Sequence, residues 1–162
     1  MEEIKNVEKK KGNNILKVVL IIVGVLVGFV AVCAIFDSTT GSKEEKTMVC
    51  TQKTEESGMT MDMTATISFV GNDAKKFDAL MTVDLGEYKE YKDTFIETFK
   101  KEYKEYSDKG VNVDITSDDA KVIIKLNADK DHLKSTNFIS KETFDDVKTE
   151  LEKEGFSCKE SE

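Results

Sequence analysis

The stretch Met59–Leu85, MTMDMTATISFVGNDAKKFDALMTVDL, sets the reading of the chain. From Met59 to Phe69 every odd position is apolar (Met59, Met61, Met63, Ala65, Ile67, Phe69). Every even position is polar (Thr60, Asp62, Thr64, Thr66, Ser68). Successive side chains of a strand point to opposite faces, so this alternation describes a strand buried on one face and wet on the other. Gly71-Asn72-Asp73 supplies turn residues. Beyond them Phe77, Ala79, Met81, Val83 and Leu85 repeat the odd parity. A hairpin folded about Asn72 sets Ile67 opposite Phe77 and Met63 opposite Met81, so the two apolar faces coincide. A slip of one residue would turn one of those faces to water.

Past Leu85 the period changes. Tyr88, Tyr91, Phe95, Phe99, Tyr103 and Tyr106 recur at steps of three and four between Lys and Glu. This pattern predicts one amphipathic helix of about twenty residues, aromatic on the side packed against the hairpin and stopped at Gly110. Upstream of the hairpin, Thr47–Lys53 reads as a short strand carrying Cys50, followed by the polar turn TEESG. Downstream, VNVDI from Val111 and KVIIKL ending at Leu126 read as two strands joined by Ser117-Asp118-Asp119. Asn127 to Ser140 is irregular or a short helix. A last helix is expected after Ser140 as N-cap, with Phe144, Val147 and Leu151 on one face and Gly155 at its end. Phe156 to Cys158 then returns to the sheet edge. The order β-β-β-α-β-β-α predicts an α+β fold: a mostly antiparallel sheet with two helices on one face.

Ahead of this unit lies an apolar run, VVLIIVGVLVGFVAVCAIF, from Val18 to Phe36. Nineteen residues rising about 1.5 Å each span roughly 28 Å, against a bilayer core of about 30 Å, so a single transmembrane helix precedes the α+β unit. Lys5, Lys9, Lys10, Lys11 and Lys17 precede the run, whereas acids balance the lysines after it. The positive-inside rule keeps the N-terminus cytoplasmic. The expected organisation is a cytoplasmic tail (1–17), a signal anchor (18–36), a linker (37–46) and an extracytoplasmic domain (47–159). Two other fates stay open. Val32 and Ala34 form a V-x-A cleavage pattern, although inside the apolar run. Cys33 is a lipidation candidate, although Val32 before it is branched and large. Gly24 and Gly28 share one helix face and suggest a homodimer through the span, a spacing also frequent in membrane helices generally.

The chain carries 24 basic residues, all lysine, against 32 acids, and contains no Pro or Trp. Such a bias fits the A+T-rich codons of a low-GC bacterium. The acid excess falls after the apolar run, which argues against nucleic acid as a partner. About 115 residues follow the linker, enough for one domain with one core. Cys50 and Cys158 bracket it, and outside the cytoplasm they are expected to pair; two free buried thiols are the alternative.

Few residues offer chemistry. His132 is the only histidine, and its charged neighbours suggest a solvated loop position rather than a catalytic one. Asp129-x-Asp131 hints at calcium but lacks the Gly and terminal Glu of an EF-hand loop. Met59, Met61 and Met63, with Met81, present soft thioethers suited to Cu(I). The same face continues as Ala65, Ile67 and Phe69, so core packing accounts for it as well. Leu80 and Ile123 break the polar parity of their strands and, beside Thr64, mark a candidate partner surface on the open sheet face.

The segment from 47 to 159 resembles the YehR-like family of small bacterial cell-envelope lipoproteins, a domain of unknown function. The likeness rests on MVC in the first strand, the alternating hairpin, the aromatic helix, the VNVDI…KVIIKL pair and the ending EKEGFSCK. It implies the fold and an envelope location, and it supplies no catalytic residues. Val32 departs from the lipid-anchored pattern of the family. The expected function is a membrane-anchored, extracytoplasmic, non-enzymatic module. It would bind an envelope partner or ligand, without a cofactor. An extracytoplasmic copper-binding protein is the alternative.

Overall fold

A computed structural model describes residues 44–135 and 143–161. The expected tail, the membrane anchor with Gly24, Gly28 and Cys33, the linker as far as residue 43, and Ser140 lie outside the described residues. Among the described residues no helix is long and apolar enough to cross a membrane.

Three long strands open the fold: β1 (Glu45–Glu56), β2 (Met59–Val70) and β3 (Asp73–Asp84). β2 alternates as its sequence demands. Its six odd residues from Met59 to Phe69 are buried, and its even residues are exposed or half-buried. β3 pairs with it so that Ile67 faces Phe77 and Met63 faces Met81. The register shifts once, near the turn. Ser68 pairs with Lys76 but Phe69 with Ala74, which leaves Lys75 as an extra residue in a bulge. Ala74 and Phe77 differ in parity, yet both reach the core because of that extra residue.

β1 is longer than the Thr47–Lys53 expected, and it begins inside the proposed linker. Its polar second half, Gln52–Glu56, pairs residue by residue with Met63–Met59. Ladder hydrogen bonding therefore extends it where burial gives no pattern to read. Ser57 and Gly58 join β1 to β2 with φ of 53° and 81°. Two positive φ values are what a two-residue I′ turn requires.

The aromatic stretch is not one helix. A 3-10 segment, Gly86–Tyr91, leads into α1 (Lys92–Glu102), and a break at Tyr103 separates α1 from α2 (Lys104–Asp108). The spacing carries only part of the reason. Tyr88 to Tyr91 is a step of three, which fits three residues per turn, but Tyr103 to Tyr106 is also a step of three and leads into an α-helix, so the break at Tyr103 has no mark in the spacing. Gly110, at φ 93°, ends the stretch as expected. β4 (Asn112–Asp118) and β5 (Lys121–Asp129) follow. α3 (Lys130–Ser135) then occupies part of the segment read as irregular or a short helix.

α4 (Phe144–Lys153) starts at Thr143, not Ser140. Thr143 Oγ1 accepts from the Asp146 amide, and the Asp146 carboxylate accepts from the Thr143 amide, a reciprocal capping box. Phe144, Val147 and Leu151 are its buried residues. The Phe144 ring meets Phe69 edge-on at 5.1 Å. After Gly155, β6 (Ser157–Ser161) runs antiparallel to β1.

The described strands form one six-stranded antiparallel sheet in the order β4-β5-β3-β2-β1-β6, so the fold is α+β. The odd face of β2, the matching faces of its neighbours, and Phe95, Phe99, Val147 and Leu151 from the helices share one buried cluster. Cys50 lies directly opposite Cys158, and the two are joined as a disulfide across 108 residues.

A cross-link of that span stabilises by about 4–5 kcal/mol in the chain-entropy account. The Cys50→Ala, Cys158→Ala variant should therefore melt more than about 10 °C below the oxidised protein, with an unchanged far-ultraviolet dichroism spectrum at low temperature. Equal melting temperatures would show that the bridge does not constrain the unfolded chain.

Candidate functional site: the open sheet face

The even residues of β2 point away from the core, and pairing extends that face across the sheet. Thr64 stands opposite Leu80 on β3 and Thr51 on β1; Leu80 stands opposite Lys125 on β5, and Lys125 opposite Asp114 on β4. One row over, Thr66, Asp78, Asn127 and Asn112 line up in the same way. Residues from these two rows line a shallow trough of about 700 Å³.

Leu80 is 44% exposed, the one large apolar side chain exposed among the described residues. Ile123 pairs with Thr82, one step from the Leu80–Lys125 pair, so Leu80 and Ile123 are diagonal neighbours on this face. Register thus brings together Thr64, Leu80 and Ile123, of which Thr64 and Leu80 line the trough. Sequence reading puts Asp78 on the polar sheet face but does not join it to its neighbours. Asp78 accepts from Asn127 Nδ2 and pairs with Lys76 Nζ at 2.8 Å. Lys76 and Asp78 share a face of β3 two residues apart, and the β3–β5 register adds Asn127. Hydroxyls, two carboxylates (Asp78 and Asp114), a lysine, amides and an exposed leucine around an open trough suit recognition of a partly polar surface by hydrogen bonding about a small apolar contact.

The methionines are elsewhere. Met59, Met61, Met63 and Met81 are each at most 5% exposed within the hydrophobic cluster. Among the described residues no three His, Cys, Asp or Glu side chains gather as a metal site. The Asp129-x-Asp131 pair has a local use instead. Asp129 Oδ1 accepts from the amides of Asp131 and His132, both at 3.1 Å, and caps α3.

His132 departs from the loop position expected for it. It lies in α3, with Nδ1 2.7 Å from Asp129 Oδ1. Its ring occupies the space that a Cβ on Gly110 would fill. Hydrogen bonds hold two capping carboxylates below the usual aspartate value of 3.8: the His132 amide acts chiefly on Asp129, and the Thr143 amide on Asp146.

No family model and no curated protein matches the chain. Among solved structures it is similar to the NMR structure of the E. coli YehR protein. The identity is 18% and the TM-score 0.45, over 74% of this chain and 93% of that chain.

Two predictions follow from the caps and from Gly110. A depressed carboxylate contributes stability above its unfolded pKa and loses it as pH falls through the folded value. The melting-temperature gap between wild type and Asp129→Asn, Asp146→Asn should accordingly close as pH drops from about 5 to about 2. A gap that widens on acidification would contradict the assignment. Gly110→Ala should cost more than about 1 kcal/mol, because it meets both the positive φ and the His132 ring. Adding His132→Ala should recover part of that loss in urea titration. No recovery would place the whole cost in the backbone.

Proposed function

We infer that this chain is a membrane-anchored, extracytoplasmic recognition module of the bacterial cell envelope. In this reading it works by binding rather than by catalysis. One observation carries it: a sheet face, left uncovered by the described residues, where Thr64, Leu80 and Ile123 meet beside the Asp78–Asn127–Lys76 cluster. The lysine-rich segment and apolar run ahead of the fold support the anchoring and the orientation. The disulfide supports an oxidising compartment. The expected chemistry is a polar partner surface with a small apolar contact seated on Leu80.

The test is a photoreactive residue in place of Thr64 in the full chain, expressed in intact bacteria. A discrete adduct is expected on illumination, lost in Leu80→Asp while the melting temperature holds. A Thr64 probe that gives no adduct, or one indifferent to Leu80→Asp, would refute the surface. Protease added outside intact cells should degrade the folded part; protection until lysis would reverse the orientation. Copper binding through Met59, Met61 and Met63 is the competing function. Stoichiometric copper in the native protein, lost in Met61→Leu, Met63→Leu, would establish it in place of the recognition reading.

A further inference from the structure

Both oxygens of the Asp78 carboxylate are committed within the fold. Asn127 Nδ2 donates to Oδ1, and Lys76 Nζ meets Oδ2 at 2.8 Å. A carboxylate only accepts, so Asn127 has to turn its amino group toward Asp78 and leave its carbonyl Oδ1 as an acceptor. Asn127 is exposed and lines the trough of the open face, and no described residue donates to that oxygen. Leu80 is its diagonal neighbour, because Leu80 pairs with Lys125, two residues before Asn127. A fixed acceptor and an exposed apolar side chain thus stand side by side.

Charge and backbone narrow the occupant. Lys76 neutralises Asp78, and Lys125 stands directly opposite Asp114 in the β4–β5 ladder. A cation or an anion in the trough would meet a like charge as near as an opposite one, so a neutral ligand fits. A protein partner fits less well. β2, β3 and β5 are inner strands with both backbone edges paired, so a peptide laid across them finds no ladder for its own amides and carbonyls. The residues lining the trough include no aromatic, methionine or arginine, the types that anchor protein interfaces. A sugar chain has no peptide backbone to satisfy. Its hydroxyls both donate and accept, and its ring C–H groups offer small apolar patches.

We propose that this trough binds a neutral N-acetylated sugar chain, the chemistry of the amino-sugar strands of a bacterial wall, an assignment that rests on the recognition reading of the open face. An acetamido group answers both neighbours at once: its N–H donates to Asn127 Oδ1 and its methyl rests on Leu80. Ring hydroxyls exchange hydrogen bonds with Thr64, Thr66 and Asn112, which line the same trough. Asp78 does not touch the sugar. It is a positioning residue that holds the Asn127 amide in the accepting orientation. The trough's volume, about 700 Å³, lies within the range of small-ligand sites, about 300–1,000 Å³.

The test titrates the full chain, purified in detergent, with tetrasaccharides of N-acetylglucosamine and of glucose by calorimetry. The two chains share linkage and neutrality, and hydroxyls replace the acetamido groups in the second. The N-acetylated chain should bind at least about fivefold more tightly. Asn127→Ala and Asp78→Ala should each erase that preference while the melting temperature holds. A merely structural role for Asp78 would weaken both sugars alike. Binding of neither chain, equal affinity for both, or a preference that survives Asn127→Ala overturns the sugar assignment. The recognition surface itself fails on a different result, the absence of a Thr64 adduct in cells. A Thr64 adduct that is lost in Leu80→Asp, carries a protein and is untouched by added N-acetylglucosamine tetrasaccharide would keep that surface and give it to a protein instead of a sugar.

Discussion

Every strand in the sheet inherits its facing from β2. With a side-chain period of two, burying Met59, Met61, Met63, Ala65, Ile67 and Phe69 forces Thr60, Asp62, Thr64, Thr66 and Ser68 to the other face. Residues paired directly across an antiparallel ladder share a face, so β1 and β3 have no choice, and β5 and β4 follow from β3. The hydrophobic cluster and the open face are two consequences of one alternation. A polar residue at Met63 or Ile67 would disturb both, although only one of them is core.

The bulge at Lys75 shows what happens where the alternation would fail. Without it, burying Phe77 would turn Ala74 outward and leave the turn end of the core thin. The extra residue restores the facing and also aims charges. Asp73 meets Lys75 Nζ at 3.0 Å and Lys130 Nζ at 3.1 Å, joining the β2–β3 turn to the start of α3. The same end holds the start of β1, where the Gly71 amide donates to the Glu44 carbonyl at 2.8 Å. A packing correction in one strand thus fixes the place where three segments meet.

How much was legible depended on whether a residue's environment was periodic. The β2–β3 register, the buried residues of α4 and the capping glycines could be read because burial and positive φ leave marks in the sequence. The far half of β1 could not, since Gln52–Glu56 is held by backbone pairing, which is indifferent to side-chain type. The division of the aromatic stretch left no such mark, since steps of three occur both in the 3-10 segment and across the break at Tyr103. The cap at Thr143 was visible, because Thr143-Phe144-Asp145-Asp146 carries an acceptor at each end of a capping box. Of the open face, Thr64, Leu80 and Ile123 were readable as parity breaks and parity partners. Asp78 and Lys76 share that parity on β3, whereas Asn127 joins them only through the β3–β5 register.

The two edges of the sheet are treated differently, and the contrast bears on function. An exposed edge invites another strand, and proteins blunt it with short strands, charges or cover. The β1 side is blunted in each way. β6 is five residues long and tied covalently to β1, Lys46 pairs with Glu160 at 3.2 Å, and Gln52 Nε2 donates to the Glu154 carbonyl where β1 outruns its partner. β4 has less protection. Its Asp114 lines both the open face and a trough of about 410 Å³ between β4 and the helices, beside which Val113 and Ile115 stand half-buried. Among the described residues the buried Tyr103 hydroxyl has no hydrogen-bond partner, and the one exposed large apolar side chain, Leu80, lies on the opposite face. The Leu80 side chain adds nothing to the buried cluster, so its place on the open face bears on contacts outside the fold more than on folding.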